Sequence, residues 1–212
     1  MTGKHVRMWI TFLIVLSTTG NSVFANLSFI AGSAGVSPPP FWDRSYWHIE
    51  PGMQKGFPLT VVSGGPYILK ELEAAVFHYY GDSTASFSVN VDNNGEPGDA
   101  IATTFMTGIT TTPQVVNSTF TEEVILQSDT LYWLVGKADG EVNWNLGGTF
   151  GPVAFEGERS TWVVQPNRNL AAYAILGSPV PEPTSLLLLG LGGFALLRRH
   201  RQVWICLRIH TL

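Results

Sequence analysis

Cysteine is nearly absent from this chain: its single copy is Cys206, close to the C-terminus. A disulfide framework is therefore excluded, and any folded part must stand on its packed core. Charge is scarce too, at 13% of 212 residues, yet 45% of the chain is hydrophobic and 12% aromatic, a balance that excludes a disordered polymer. Basic residues do not exceed acidic ones, and a net charge of −4 leaves no footprint for nucleic acid. No stretch of about 20 apolar residues exists, so the transmembrane helix expected at the C-terminus must be a short one. Internal repeats and helical periodicity are also missing from the middle of the chain. Catalytic signatures are few. Between residues 26 and 180 the only histidines are His48 and His78, and no G-x-S-x-G elbow accompanies them. Neither histidine has a partner at metal-ligand spacing. With no nucleophile–base pair visible, the reading is that the protein is not an enzyme.

What charge there is lies unevenly. Lys4 and Arg7 give residues 1–25 a charge of +2, and four arginines against Glu182 give residues 181–212 a charge of +3. Residues 26–180 hold 6 basic and 15 acidic side chains, a charge of −9. The chain is an acidic middle between two cationic, apolar ends.

The N-terminal end has the layout of a secretory signal. Lys4, His5 and Arg7 precede the apolar run Met8 to Leu16, and small residues at Val23 and Ala25 set a cleavage point after Ala25. The expectation is a signal helix over residues 1–25. At the other end, Val180-Pro181-Glu182-Pro183 is held extended by its prolines. An apolar run from Thr184 to Leu197 follows, and Arg198, Arg199 and Arg201 close it as a cationic membrane stop. As a helix, that run reaches roughly 21 Å, short for a core of about 30 Å unless the arginines snorkel or the bilayer thins. Its positive cluster should stay cytoplasmic, leaving residues 26–180 on the periplasmic side.

Residues 180–201 resemble the PEP-CTERM sorting signal of Gram-negative bacteria, on Pro181-Glu182-Pro183, the Leu/Gly-rich run and the arginine cluster, in that order. The resemblance implies a transient inner-membrane anchor recognised by the transpeptidase exosortase. It also implies a final place at the cell surface or in an extracellular matrix, in association with exopolysaccharide and biofilm. Members usually stop soon after the basic cluster, whereas this chain continues from Gln202 to Leu212 as an atypical tail.

The acidic middle alternates apolar and polar residues in short stretches broken by Gly, Pro, Asn and Asp, which predicts an all-β fold. Phe87, Val89 and Val91 fall on one face of a strand, as do Val142, Trp144 and Leu146 of another. Thr130 to Val135 is dense enough to be covered on both sides. About eight strands fit a single antiparallel β-sandwich, jelly-roll-like, over residues 60–179. Residues 26–59 form a Pro/Gly-rich N-terminal segment of the same exported domain, read as an edge strand and a loop. Asp92-Asn93-Asn94-Gly95-Glu96-Pro97-Gly98, the strand Leu131-Tyr132-Trp133-Leu134 and the later Trp144 resemble the choice-anchor R domains. That resemblance implies a sandwich and a sorting address rather than an activity.

Two kinds of chemistry fit residues in this middle. Asp92, Asn94 and Asp99 around a glycine turn invite Ca2+, but one loop supplies too few oxygens for calcium, and the same residues make a good turn. Aromatics invite sugar stacking. Trp133 and Trp144 sit in core-like strands, whereas Trp42, Tyr46 and Trp47 lie in the Pro/Gly-rich stretch and are expected to be exposed. A carbohydrate-binding module using Trp42, Tyr46 and Trp47 is thus the alternative to a plain envelope protein.

Overall fold

The computed structural model describes residues 27–33, 45–80, 84–156 and 161–181. The expected signal helix with Ala25, the residue Trp42, and the C-terminal run from Glu182 through Pro183 to Arg198, Arg199 and Arg201 lie outside the described residues. Twelve strands and no helix make up the described part, and every pairing is antiparallel. Among the described residues no helix is long and apolar enough to cross a membrane.

Two layers of one continuous sheet face each other. The first is centred on β4 (Tyr67–His78), which pairs on one side with β7 (Gln114–Thr119) and β8 (Ile125–Leu126). On its other side lie β12 (Tyr173–Pro179) and the start of β10 (Val142–Glu156), and these are flanked in turn by β1 (Ser28–Gly32) and β2 (Tyr46–Ile49). The second layer runs β11 (Trp162–Ala171), the rest of β10, β3 (Gln54–Thr60), β9 (Leu131–Ala138), β5 (Ala85–Asp92) and β6 (Pro97–Met106). Strand β10 belongs to both: its register shifts after Leu146, around Gly147-Gly148, where it leaves the first layer for the second. At the opposite rim the layers are stitched by side chains. Thr104 on β6 donates to the Thr119 carbonyl (2.8 Å), and Ser118 on β7 donates to the Phe105 carbonyl (2.8 Å).

Trp144 fills the space between the layers. Its ring meets Phe57 and Phe87 edge-on at 4.8 Å each and Tyr173 at 5.9 Å, while its Nε1 donates to the Ala172 carbonyl at 3.0 Å. Tyr173 is fully buried and donates its hydroxyl to the Pro58 carbonyl across the gap (2.5 Å). Burial pushes that phenol far above its ordinary pKa, so it remains a donor at every working pH.

The alternation read from the sequence holds in Phe87, Val89, Val142 and Trp144, all fully buried. It slips at two places. The β5–β6 register shifts after Val89, where Asn90 is buried on the outer side beside Trp133 and Gly98 and Val91 is half-buried, and Leu146 is half-buried at the point where β10 changes layer. Residues 26–59 differ more from expectation. Their described residues form three strands, the third running on to Thr60, rather than the expected edge strand and loop, and β3 is an interior strand carrying Gly56 and Pro58. The proline is tolerated because β10 pairs only with Gln54–Gly56, so the side of β3 facing away from β9 has no ladder at residue 58. The boundary expected between residues 59 and 60 falls inside β3.

Candidate functional site

Three places gather the residues that the sequence singles out. The first is the turn between β5 and β6. Asn94 (φ 57°) and Gly95 (φ 90°) both take the left-handed region that this reversal needs, which asparagine and glycine adopt readily. The Asn93 N–H donates to the Glu96 carbonyl at 2.8 Å and closes the turn. The Asp92 carboxylate accepts the Gly95 N–H at 3.2 Å and the Trp133 indole N–H at 2.8 Å. Trp133 then lies beside Gly56, where a Cβ would come within 2.9 Å of Pro97 and 3.5 Å of the indole. The glycine loop, the Leu-Tyr-Trp-Leu strand and β3 are thus one interlock over the outside of the second layer, continued by Val135, Ala154, Trp162 and Val164. Asp92 serves the turn and the indole, and Asp99 is exposed on β6. Among the described residues no group of three or more His, Cys, Asp or Glu side chains could hold a metal ion.

The second place is the outer face of the first layer. Strand β2 presents neighbouring residues to opposite sides, as a strand must. Trp47 turns inward, half-buried against Phe155 (5.3 Å), with its Nε1 donating to the Asn169 carbonyl at 2.8 Å. Tyr46 and His48 face outward. Of the expected trio, the structure therefore separates Tyr46 from Trp47.

Tyr46 has other company. Its ring packs edge-on against His48 (4.8 Å), Phe77 (5.2 Å) and Tyr79 (6.0 Å), and its hydroxyl meets that of Tyr79 at 3.1 Å. Glu141 lies one step beyond the Val142–His78 pair, next to Tyr79, and bonds His48 Nδ1 at 3.1 Å. Tyr79 and Tyr80 are 52% and 70% exposed. The hydrogen bond to Tyr79 raises the Tyr46 phenol above its usual pKa, and the Glu141 carboxylate beside Tyr80 does the same there. Asn143, opposite both His48 and Phe77 in register, is fully buried, and neither its amide oxygen nor its nitrogen has a hydrogen-bond partner. Sequence reasoning missed Tyr79, Tyr80, Glu141 and Asn143, because only the register of β4, β10 and β2 brings them together.

The third place is the pole where the chain enters and leaves the sandwich. Strand β1 begins three residues after Ala25, and its Ser28 pairs with Gly177 of β12. Ser33, just past β1, donates to the Ala171 carbonyl and accepts the Tyr173 N–H at 3.3 Å, fixing the first strand to the last. The final tether is the Val180 N–H, which donates to the Pro66 carbonyl at 3.0 Å, and Pro181 is already exposed. The Pro-Glu-Pro segment thus starts at the rim of the folded body, without an intervening linker.

An all-β domain with both ends at one pole, followed at once by a proline-bracketed acidic motif, has the layout of an exported cargo on a C-terminal sorting signal. A family model agrees: residues 179–202 match the PEP-CTERM protein-sorting motif. The chain carries an exosortase sorting signal, which marks it as exported through the secretory pathway and sorted by way of a membrane anchor. No curated protein matches the chain.

Proposed function

We propose that this is a non-enzymatic protein of the cell envelope or extracellular matrix, associated with exopolysaccharide or biofilm. It leaves the cytoplasm on its N-terminal signal, which is cut after Ala25. The apolar run from residue 184 holds it in the inner membrane with the sandwich on the periplasmic side, and exosortase releases it near Pro181-Glu182-Pro183. The observation that carries this reading is the sorting motif at residues 179–202, which begins where β12 ends. Its geometry supports the order of events. Both chain ends leave from the β1–β12 pole, so the sandwich can complete its sheet while that pole faces the membrane. The interlock of Asp92 with Trp133 supports the choice-anchor R type for the cargo, a scaffold rather than a reaction centre.

Intact-mass measurement of the matured protein from its own host is the test. Loss of residues 1–25 and of the apolar C-terminal run is expected, and Glu182→Ala should leave that run in place. A matured protein that keeps its apolar tail would refute the processing step.

A further inference from the structure

We propose that the outer face made by Tyr79, Tyr80 and Glu141, with Asn143 beneath Tyr46, binds a neutral polysaccharide built of hexopyranose rings. The matrix reading above says only where such a chain would be met; the site itself rests on geometry. Three features converge on it.

Two phenol rings stand half or more exposed on consecutive residues, at 52% and 70%. Exposed rings of this kind offer apolar faces to the C–H side of a sugar and hydroxyls to its oxygens. Glu141 is a carboxylate, an acceptor only, already aligned by His48 at 3.1 Å. The Tyr80 hydroxyl also bonds this carboxylate, which has lone pairs left for a sugar hydroxyl. The carboxylates acting on Tyr46 and Tyr80 are Glu141 and Glu50, and residues 26–180 carry 6 basic against 15 acidic side chains. That field repels polyanions and favours a chain without charge.

The third feature is the amide of Asn143, orphaned at both ends, whereas that of Asn145, opposite Tyr46 in register, lacks a partner for its nitrogen only. Buried polar groups are nearly always hydrogen-bonded, and an exception calls for a reason. Asn143 lies between His48 and Phe77, and Tyr46 packs on both of those rings. The Tyr46 hydroxyl is held by one contact, to the Tyr79 hydroxyl at 3.1 Å. A sugar that engages Tyr79 competes for that contact, lets Tyr46 swing aside, and brings hydroxyls to both ends of the Asn143 amide. Tyr46 is the roof of the site, and Asn143 is its floor.

Calorimetric titration of the full chain in detergent micelles tests this, with cellohexaose and maltohexaose as neutral probes and hexagalacturonate as the anionic one. Saturable heat is expected with a neutral hexamer and none with hexagalacturonate. The double change Tyr79→Ala/Tyr80→Ala should weaken binding by at least about tenfold, and Glu141→Gln by less. Tyr79 and Tyr80 are at the surface, and Glu141→Gln keeps the size of a nearly buried side chain, so melting temperature serves as the folding control. Asn143→Leu should weaken sugar binding while raising the melting temperature, a combination that a purely structural role would not produce.

No saturable heat with either neutral hexamer at millimolar concentration overturns the proposal. So does undiminished binding in the double tyrosine variant. Equal binding of hexagalacturonate overturns it as well, and retention of polylysine lost with Glu141→Gln, without sugar binding, would reassign the face to a cationic peptide. None of these results bears on the masses that test exosortase processing, so the two readings fail separately.

Discussion

The Asp92 turn and the Tyr46 face are built from the same kinds of residue, a carboxylate, aromatics and asparagines, and they differ in how completely those groups are paired. At the turn, Asp92 accepts from Gly95 and Trp133, and Asn90 donates to the Gly98 carbonyl at 2.7 Å while its own oxygen accepts from Ser88. At the face, two phenols stand in solvent and the Asn143 amide is buried without a partner. A carboxylate beside an indole reads as chemistry in a sequence, yet it is a fastening at the turn. The difference lies in the pairing, and pairing follows from strand register.

The largest expected effect breaks the paired side. Trp133→Ala removes a buried indole and leaves Asp92 without its donor, which should cost about 3–5 kcal/mol in denaturant unfolding. Asp92→Ala keeps the ring and leaves its N–H unpartnered, at a cost of about 1–3 kcal/mol. A change of the opposite sign is expected across the sandwich. Asn143→Leu replaces an unsatisfied buried amide by an apolar side chain of similar volume and should stabilise by about 1 kcal/mol, read as a higher midpoint at unchanged slope. Loss of stability in that variant would show that the amide is satisfied in solution and would remove the contrast.

The smallest effect concerns pH. Burial first, and Glu71 second, raise the Glu73 carboxyl above its ordinary pKa on the outer side of β4. The folded state then holds that proton more tightly than the unfolded chain, so folding is penalised once pH rises above the folded pKa and relieved below the unfolded one. Glu73→Gln should stabilise at neutral pH by no more than about 0.5 kcal/mol. The gain should vanish as pH falls below the ordinary carboxyl range near about 4.3.

Much of the sandwich was legible in the sequence because period-two alternation survives in Phe87, Val89, Val142 and Trp144. Strand β3 was not, since Gly56 and Pro58 look like breakers. Gly56 is there to admit Pro97 and Trp133, and Pro58 sits where one side of the strand has no ladder. The turn was legible from Asn94-Gly95, though its link to Trp133 spans 41 positions and shows only in the fold. Trp47 was misplaced by weighing composition over alternation: Tyr-Trp-His-Ile on a strand must put Tyr46 and Trp47 on opposite faces. Glu141 joins Tyr79 and His48 only through the register of three strands, a relation that local spacing does not encode.

The contrast between a fastened end and an open face is tested most directly by one paired measurement: Asp92→Ala and Tyr80→Ala, each followed by melting and by titration with the neutral hexamers. The account predicts a crossed result. Asp92→Ala should lower the melting temperature by several degrees and leave sugar binding unchanged, whereas Tyr80→Ala, at a position 70% exposed, should weaken binding and leave melting unchanged. If both substitutions move the same quantity, or if Tyr80→Ala proves the more destabilising, the two regions do not divide structure from recognition.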